Sequence, residues 1–144
     1  MEKIKETKFP NGRIMHYGIG AVIEKDGKYL LIDRAVKPLG YGCISGHINE
    51  SESPEEALVR EVMEEANLKV LSHKLLLERV IKNRECKLGK VMHHCYIYET
   101  QIKRKDKLDG NREVKSISWY SKDEIKKLKL EPLWKFYFKK IGVI

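Results

Sequence analysis

The stretch Ser53–Asn67, SPEEALVREVMEEAN, constrains the fold more than any other part of the chain. Ser53 can accept from the first unpaired N–H groups of a helix. Pro54 suits the first helical position, where its missing N–H would have no partner anyway. Glu56 stands three residues after Ser53, as a capping box requires. The spacing predicts a helix over Pro54–Ala66. Asn67 follows where a helix often ends in a left-handed residue, a conformation Asn tolerates. On a helical wheel Leu58, Val59, Val62 and Ala66 share one arc, read as the packing side, while Glu61, Glu64 and Glu65 share another.

Glu61 is i,i+3 from Glu64 and i,i+4 from Glu65, so the three carboxylates are neighbours. At about 5 Å and an effective dielectric of about 20, each pair repels by roughly 3 kcal/mol. Arg60 sets one cation against three anions. A hard dication, Mg²⁺ or Mn²⁺, is the natural counter-charge for carboxylate oxygen. A Glu-rich helix face that is merely solvated is the competing reading.

Strands surround this helix. Tyr17–Glu24 and Tyr29–Asp33 read as two strands joined at Asp26-Gly27, a hairpin turn signal. Arg34–Gly42 reads as a loop and Cys43–Ser45 as a short strand. Val70–Ile81 and Val91–Tyr98 read as strands around a polar hairpin loop at Asn83–Lys90. Gln101–Arg112, holding Asp109-Gly110-Asn111, reads as a charged loop. Val114–Tyr120 reads as a strand, Ser121-x-x-Glu124 opens a helix through Leu130, and Pro132 opens a last one. Strands, helix, strands, helix predicts an α/β fold with a mixed sheet between helices.

The chain has 144 residues, about one domain. No apolar run approaches the roughly 20 residues of a membrane helix, and MEKIKETKFPNGR lacks a secretory h-region. Cys43, Cys86 and Cys95 are an odd number, which argues against a disulfide framework and for a reducing, cytoplasmic setting. His93, His94, Cys86 and Cys95 match no usual zinc spacing, and neighbours on a strand point to opposite faces. Charge is uneven: 16 basic and 15 acidic side chains in residues 1–100, 13 and 6 in residues 101–144. A basic segment attracts anions, whether phosphates, nucleotides or nucleic acid, with a merely soluble Lys-rich face as the competing reading. Trp119 and Trp134 read as core.

From Gly46 the sequence runs GHINESESPEEALVREVMEEANL to Leu68. This resembles the Nudix box, Gly-x5-Glu-x7-Arg-Glu-U-x-Glu-Glu-x-Gly-U with U aliphatic. Every fixed position matches except the last Gly, here Asn67. The resemblance implies a single Nudix hydrolase domain over 1–144, an α/β/α sandwich around a mixed sheet. It also implies a metal-dependent hydrolase of a nucleoside diphosphate linked to another group.

By the same resemblance, Glu61, Glu64 and Glu65 face Mg²⁺ or Mn²⁺, with Glu52 and the Ser45 carbonyl as further ligands. Arg60 orients Glu61 or Glu64, and Gly46 permits a sharp turn. The general base is Glu61 or the distant Glu113. Arg34, Lys37, Gly46 and His93 are the candidate substrate contacts. Lys82–Glu85 lacks the Pro or Tyr that marks some branches of the family, which leaves a nucleoside triphosphate or modified nucleotide as the default small-molecule substrate. A binding or regulatory module without turnover, or an RNA-end hydrolase, are the alternatives. The lack of an RNA-binding motif argues against nucleic acid and nothing points to a membrane. The oligomeric state, a homodimer included, stays open.

Overall fold

The computed structural model describes residues 2–86, 89–105, 108 and 113–144, with side chains omitted at 83–90. In chain order the elements are β1 (Glu6–Lys8), β2 (Ile14–Val22), β3 (Glu24–Lys25), β4 (Lys28–Arg34), β5 (Gly40–Gly42), β6 (Ile44–His47) and α1 (Pro54–Ala66). Then come β7 (Val70–Cys86), β8 (Gly89–Ile102), β9 (Val114–Ser121), α2 (Lys122–Lys127) and α3 (Pro132–Ile141). One sheet has the order β1-β2-β8-β7, with β6 also paired to β2. It is mixed: β2 and β8 run parallel, and its other pairs are antiparallel. The second sheet joins β3, β5 and β9 to β4, all antiparallel.

Alternation along β2 and β4 builds the layers. Ile19, Ala21, Ile23, Leu30 and Ile32 pack with Leu58, Val62 and Ala66 of α1 in one core. Val22, Tyr29 and Leu31 pack with Trp134, Tyr137 and Phe138 of α3 in the other. Successive strand residues point to opposite faces, so α1 and α3 cover opposite sides: the expected α/β/α sandwich. Gly20 lets α3 come close, because a Cβ there would stand 2.6 Å from Trp134 Cζ2.

The helix signals translate directly. Ser53 Oγ accepts from Glu56 N at 3.1 Å, Glu56 Oε1 accepts from Ser53 N at 3.0 Å, and Asn67 is left-handed at φ 54°. The second capping box, Ser121 with Glu124, has both bonds as well. Asp26 and Gly27 have φ of 52° and 77°, the primed turn expected between β3 and β4.

Several expectations need correction. Val59 is 44% exposed, and Glu65 takes its place on the buried side of α1. The helix leans its 58/62/65/66 edge on the sheet, so the packing arc is rotated toward the carboxylates. Arg34 closes β4, and Gly40–Gly42 pairs with it as β5, inside the stretch read as a loop. β7 and β8 pair as far as Cys86 and Gly89, so most of the expected Asn83–Lys90 loop is ladder. The tip at 87–88, the Cys86 side chain and Asp109–Arg112 lie outside the described residues. α2 stops at Lys127 rather than Leu130, because Leu128 is extended and Leu130 bridges to Tyr41. β1, with the Ile4–Asn49 bridge, is an addition.

Lys126 and Lys127 close α2, and Lys139 and Lys140 close α3. Four cations of the basic segment thus sit at helix C-termini, where the dipole favours them. Cys43 and Cys95 are buried thiols. Among the described residues no helix is long and apolar enough to cross a membrane.

Candidate active site

Arg60 organises the polar side of α1. Its guanidinium donates Nε to Glu52 Oε2 at 2.6 Å and Nη2 to Glu52 Oε1 at 3.0 Å. Nη2 also reaches the His47 carbonyl at 2.8 Å, and Nη1 reaches Glu61 Oε1 at 2.8 Å and Glu64 Oε2 at 3.2 Å. Such a fork fixes carboxylates in direction as well as position. Glu52 Oε1 further accepts from Asn49 N at 2.8 Å. Both Glu52 oxygens therefore serve to hold the loop before α1 against Arg60. The Arg60 bond is the largest cause that keeps the Glu52 carboxyl below its ordinary range.

The three Glu residues of the arc differ sharply in surroundings. Glu64 is about half exposed, with a side-chain exposure of 53% against 12% for Glu61, and Glu65 is buried. Burial pushes Glu61 up to about 7; Arg60 opposes this, while Glu64 and Glu113 add to it. Burial pushes Glu65 up to about 8, with Glu61 and Glu113 adding, and Arg34 and the Ser45 backbone N–H opposing. Glu65 Oε2 is buried without a hydrogen-bond partner. An orphaned buried carboxylate oxygen amid like charges suits a hard dication, so the donor set fits Mg²⁺ or Mn²⁺.

Tertiary pairing delivers the remaining candidates. Glu113 precedes β9, its carbonyl accepts from Ala35 N at 2.8 Å, and its charge acts on both Glu61 and Glu65. Arg34, at the end of β4, donates Nε to Pro38 O at 2.9 Å and Nη1 to Ser45 Oγ at 3.4 Å. Ser45 sits on β6 beside Glu65. Lys37 is exposed in the loop that follows Arg34.

Gly46 has a different role from the one expected. It lies within β6 and is not among the residues with positive φ. A Cβ there would overlap the Glu61 carboxylate. The small residue makes room for an acid rather than a turn.

His93 faces away from this site. It pairs with His16 in the regular β2–β8 register, on the side of Cys95 and Ile97 and the α3 core. Its neighbour His94 faces the α1 side, stacked on Tyr96 at 4.7 Å and on Tyr17 at 5.5 Å. Tyr96, Ile19 and Gly46 form one register row across β8, β2 and β6. The ring stack therefore begins two strands, about 10 Å, from the residue under Glu61. Single residues such as Tyr17 and Tyr96 carry no local signal of this stack, which depends on strand register. Trp134 is core, and Trp119 packs against the α1 core.

Comparison with known proteins agrees with this geometry. The profile of the NUDIX domain matches residues 15–140. The chain therefore belongs to the Nudix family. Among solved structures, the MutT protein of Methanosarcina mazei Go1 matches with a TM-score of 0.74 at 19% identity, over 89% of this chain and 93% of that one. The Nudix hydrolase RenU of M. smegmatis matches with a TM-score of 0.68 at 19% identity, over 96% and 92%. The NUDIX domain of Shewanella oneidensis NrtR, complexed with ADP ribose, matches with a TM-score of 0.66 at 17% identity, over 95% and 91%. At these identities the likeness is one of fold. No curated protein matches in sequence.

Proposed function

We propose that residues 1–144 form one catalytic domain that uses Mg²⁺ or Mn²⁺ to hydrolyse a nucleoside diphosphate linked to another moiety. A nucleoside triphosphate or a modified nucleotide is the substrate, and the reaction takes place in the cytoplasm. The observation that carries this reading is the buried, unpartnered Glu65 oxygen beside the charges of Glu61 and Glu113.

Glu61, Glu64, Glu65 and the Ser45 carbonyl would hold the ion. When bound, the dication neutralises diphosphate charge and lowers the pKa of attacking water. Arg60 is a positioning residue that keeps Glu61 and Glu64 aimed while Glu52 anchors it. Arg34 and Lys37 bind phosphate oxygens. Glu113 comes from outside α1 and stands against Glu61 and Glu65, so we assign it to take the proton from water. The water oxygen bonds to phosphorus, the bridging P–O bond breaks, and the leaving phosphate or phosphoester carries off that bond's electron pair. The Tyr17–His94–Tyr96 stack offers a flat surface for the base.

The deciding experiment is a nucleotide panel incubated with Mg²⁺ and read by product mass, with Glu113→Gln alongside. Cleavage between phosphates that falls by about 10² or more in Glu113→Gln, with Mg²⁺ binding kept, supports the reading. Undiminished cleavage in excess chelator, or nucleotide binding without any cleavage, overturns it.

A further inference from the structure

On the opposite side of the sheet from α1, strands β2, β6 and β8 bring three imidazoles together. One ring nitrogen from each of His16, His47 and His93 lies within 4.8 Å of the other two. The ring centroids form a nearly equilateral triangle: 5.4 Å for His16–His47, 5.8 Å for His16–His93 and 5.6 Å for His47–His93. His16 and His93 are only 4% and 6% exposed, and His47 is half-buried at the rim.

The outer contacts orient two of the rings inward. His16 Nε2 is 2.9 Å from Glu6 Oε2, and its Nδ1 is buried with no hydrogen-bond partner. His93 Nδ1 lies 3.3 Å from the Val91 carbonyl, which leaves its buried Nε2 as the inward atom. A carboxylate on one imidazole nitrogen and a carbonyl on another are the usual outer partners of metal-ligating histidines, because they set the tautomer and raise the basicity of the inner nitrogen. The buried His16 Nδ1, with its other nitrogen held by Glu6, is an acceptor with nothing to accept, which is otherwise unfavourable.

We propose that His16, His47 and His93 form a binding site for a borderline transition-metal dication of the Zn²⁺ class, separate from the carboxylate site. Imidazole suits Zn²⁺, whereas Mg²⁺ and Mn²⁺ prefer the carboxylates on the other face, so donor chemistry sorts the two kinds of ion. Zn–N bonds of about 2.0–2.1 Å at tetrahedral angles put ligand nitrogens roughly 3.4 Å apart, so the rings close by little more than 1 Å on binding. Three protein ligands leave one position for water, on the open side beside His47.

The two sites share β6. Gly46 faces Glu61, the next residue His47 faces the imidazoles, and the His47 carbonyl accepts from Arg60. An ion on the histidine face therefore pins the strand on which the carboxylate face is built.

The test is titration of chelator-stripped protein with Zn²⁺ and, for its visible spectrum, Co²⁺. Wild type should bind one Zn²⁺ at micromolar concentration, and its thermal midpoint should rise. Glu65→Gln should bind Zn²⁺ equally well, whereas His47→Ala and His93→Gln should bind at least tenfold more weakly. His47 is half-buried, so His47→Ala decides if His93→Gln fails to fold. X-ray absorption of Zn²⁺-loaded wild type should show imidazole shells at about 2.0 Å. Affinity unchanged in His47→Ala, affinity lost in Glu65→Gln instead, or an oxygen-only zinc shell would each overturn the proposal.

Discussion

The backbone of Gly46 lies directly beneath the carboxylate of Glu61, so closely that a methyl group on Gly46 would occupy the carboxylate's own place. The neighbour that would have to move is the end of a flexible side chain, not backbone. Arg60 holds that end on the other side. Gly46→Ala should therefore displace Glu61 from the site without disturbing the fold. We expect kcat to fall by about 10² or more, with stability changed by less than about 1 kcal/mol. Gly20→Ala is the contrast. There the new methyl meets the buried Trp134 ring and Ile97, and overpacking of this kind costs about 1–3 kcal/mol. Denaturant midpoints and kcat for both variants check the pair; an unfolded Gly46→Ala would contradict it.

Stability should depend on pH through Glu61 and Glu65. Burial raises both from the ordinary carboxylate range, to about 7 and about 8. The folded state thus keeps protons that the unfolded chain has released. The resulting stability is fully present below the unfolded value of about 4.5 and is lost as pH rises through about 7 and 8. In chelator the thermal midpoint should fall steadily across that window. Each kcal/mol lost lowers it by roughly 3 °C in a chain of this size. Added Mg²⁺ should stabilise more at the upper end than at the lower, because ligand carboxylates must be ionised. A midpoint that rises with pH in chelator would refute the burial argument.

Charge removal at the two outer acids of the arc should separate stability from activity. Glu65→Gln puts a neutral amide where burial already disfavours the ionised carboxylate, so metal-free protein should be as stable as wild type or more so, while kcat drops by about 10² or more. Glu64→Gln, at a half-exposed position, should show the same loss of kcat with little change in stability. Glu55 is unsuitable as a surface control, since the Tyr98 hydroxyl donates to its carboxylate. Glu50 is exposed, and Glu50→Gln should stay within twofold of wild type. Equal activity in Glu50→Gln and Glu65→Gln would reduce the arc to an ordinary charged face.

The helix ends give predictions of stability alone. Ser53→Ala removes the acceptor for Glu56 N and should cost about 1 kcal/mol, with little effect on kcat. Asn67→Gly should be neutral or slightly stabilising, because the residue is already left-handed. Its carbonyl, which accepts from Lys105 Nζ, is kept in the variant. Urea titration measures both; a loss above about 2 kcal/mol in Asn67→Gly would point to a specific side-chain bond.

By itself the sequence determined what is decided within a helical turn or along one strand. The ends of α1, the turn at Asp26-Gly27, the buried runs of β2 and β4, and the spacing of the Gly46–Leu68 box all depend on residues close together in the chain. Tertiary structure decided which carboxylate is buried. Helical spacing treats Glu64 and Glu65 as equals, and only the lean of α1 against β6 sets one in solvent and the other beside Ser45 and Arg34. It also carried Glu113 to Glu61 through the pairing of β4 with β9. The imidazole cluster depends still more on long-range register. His16, His47 and His93 sit on three strands, and a slip of one residue in either pairing would turn a ring to the other face. No local pattern encodes that register, because it is fixed by the cores that the strands bury on both sides of the sheet.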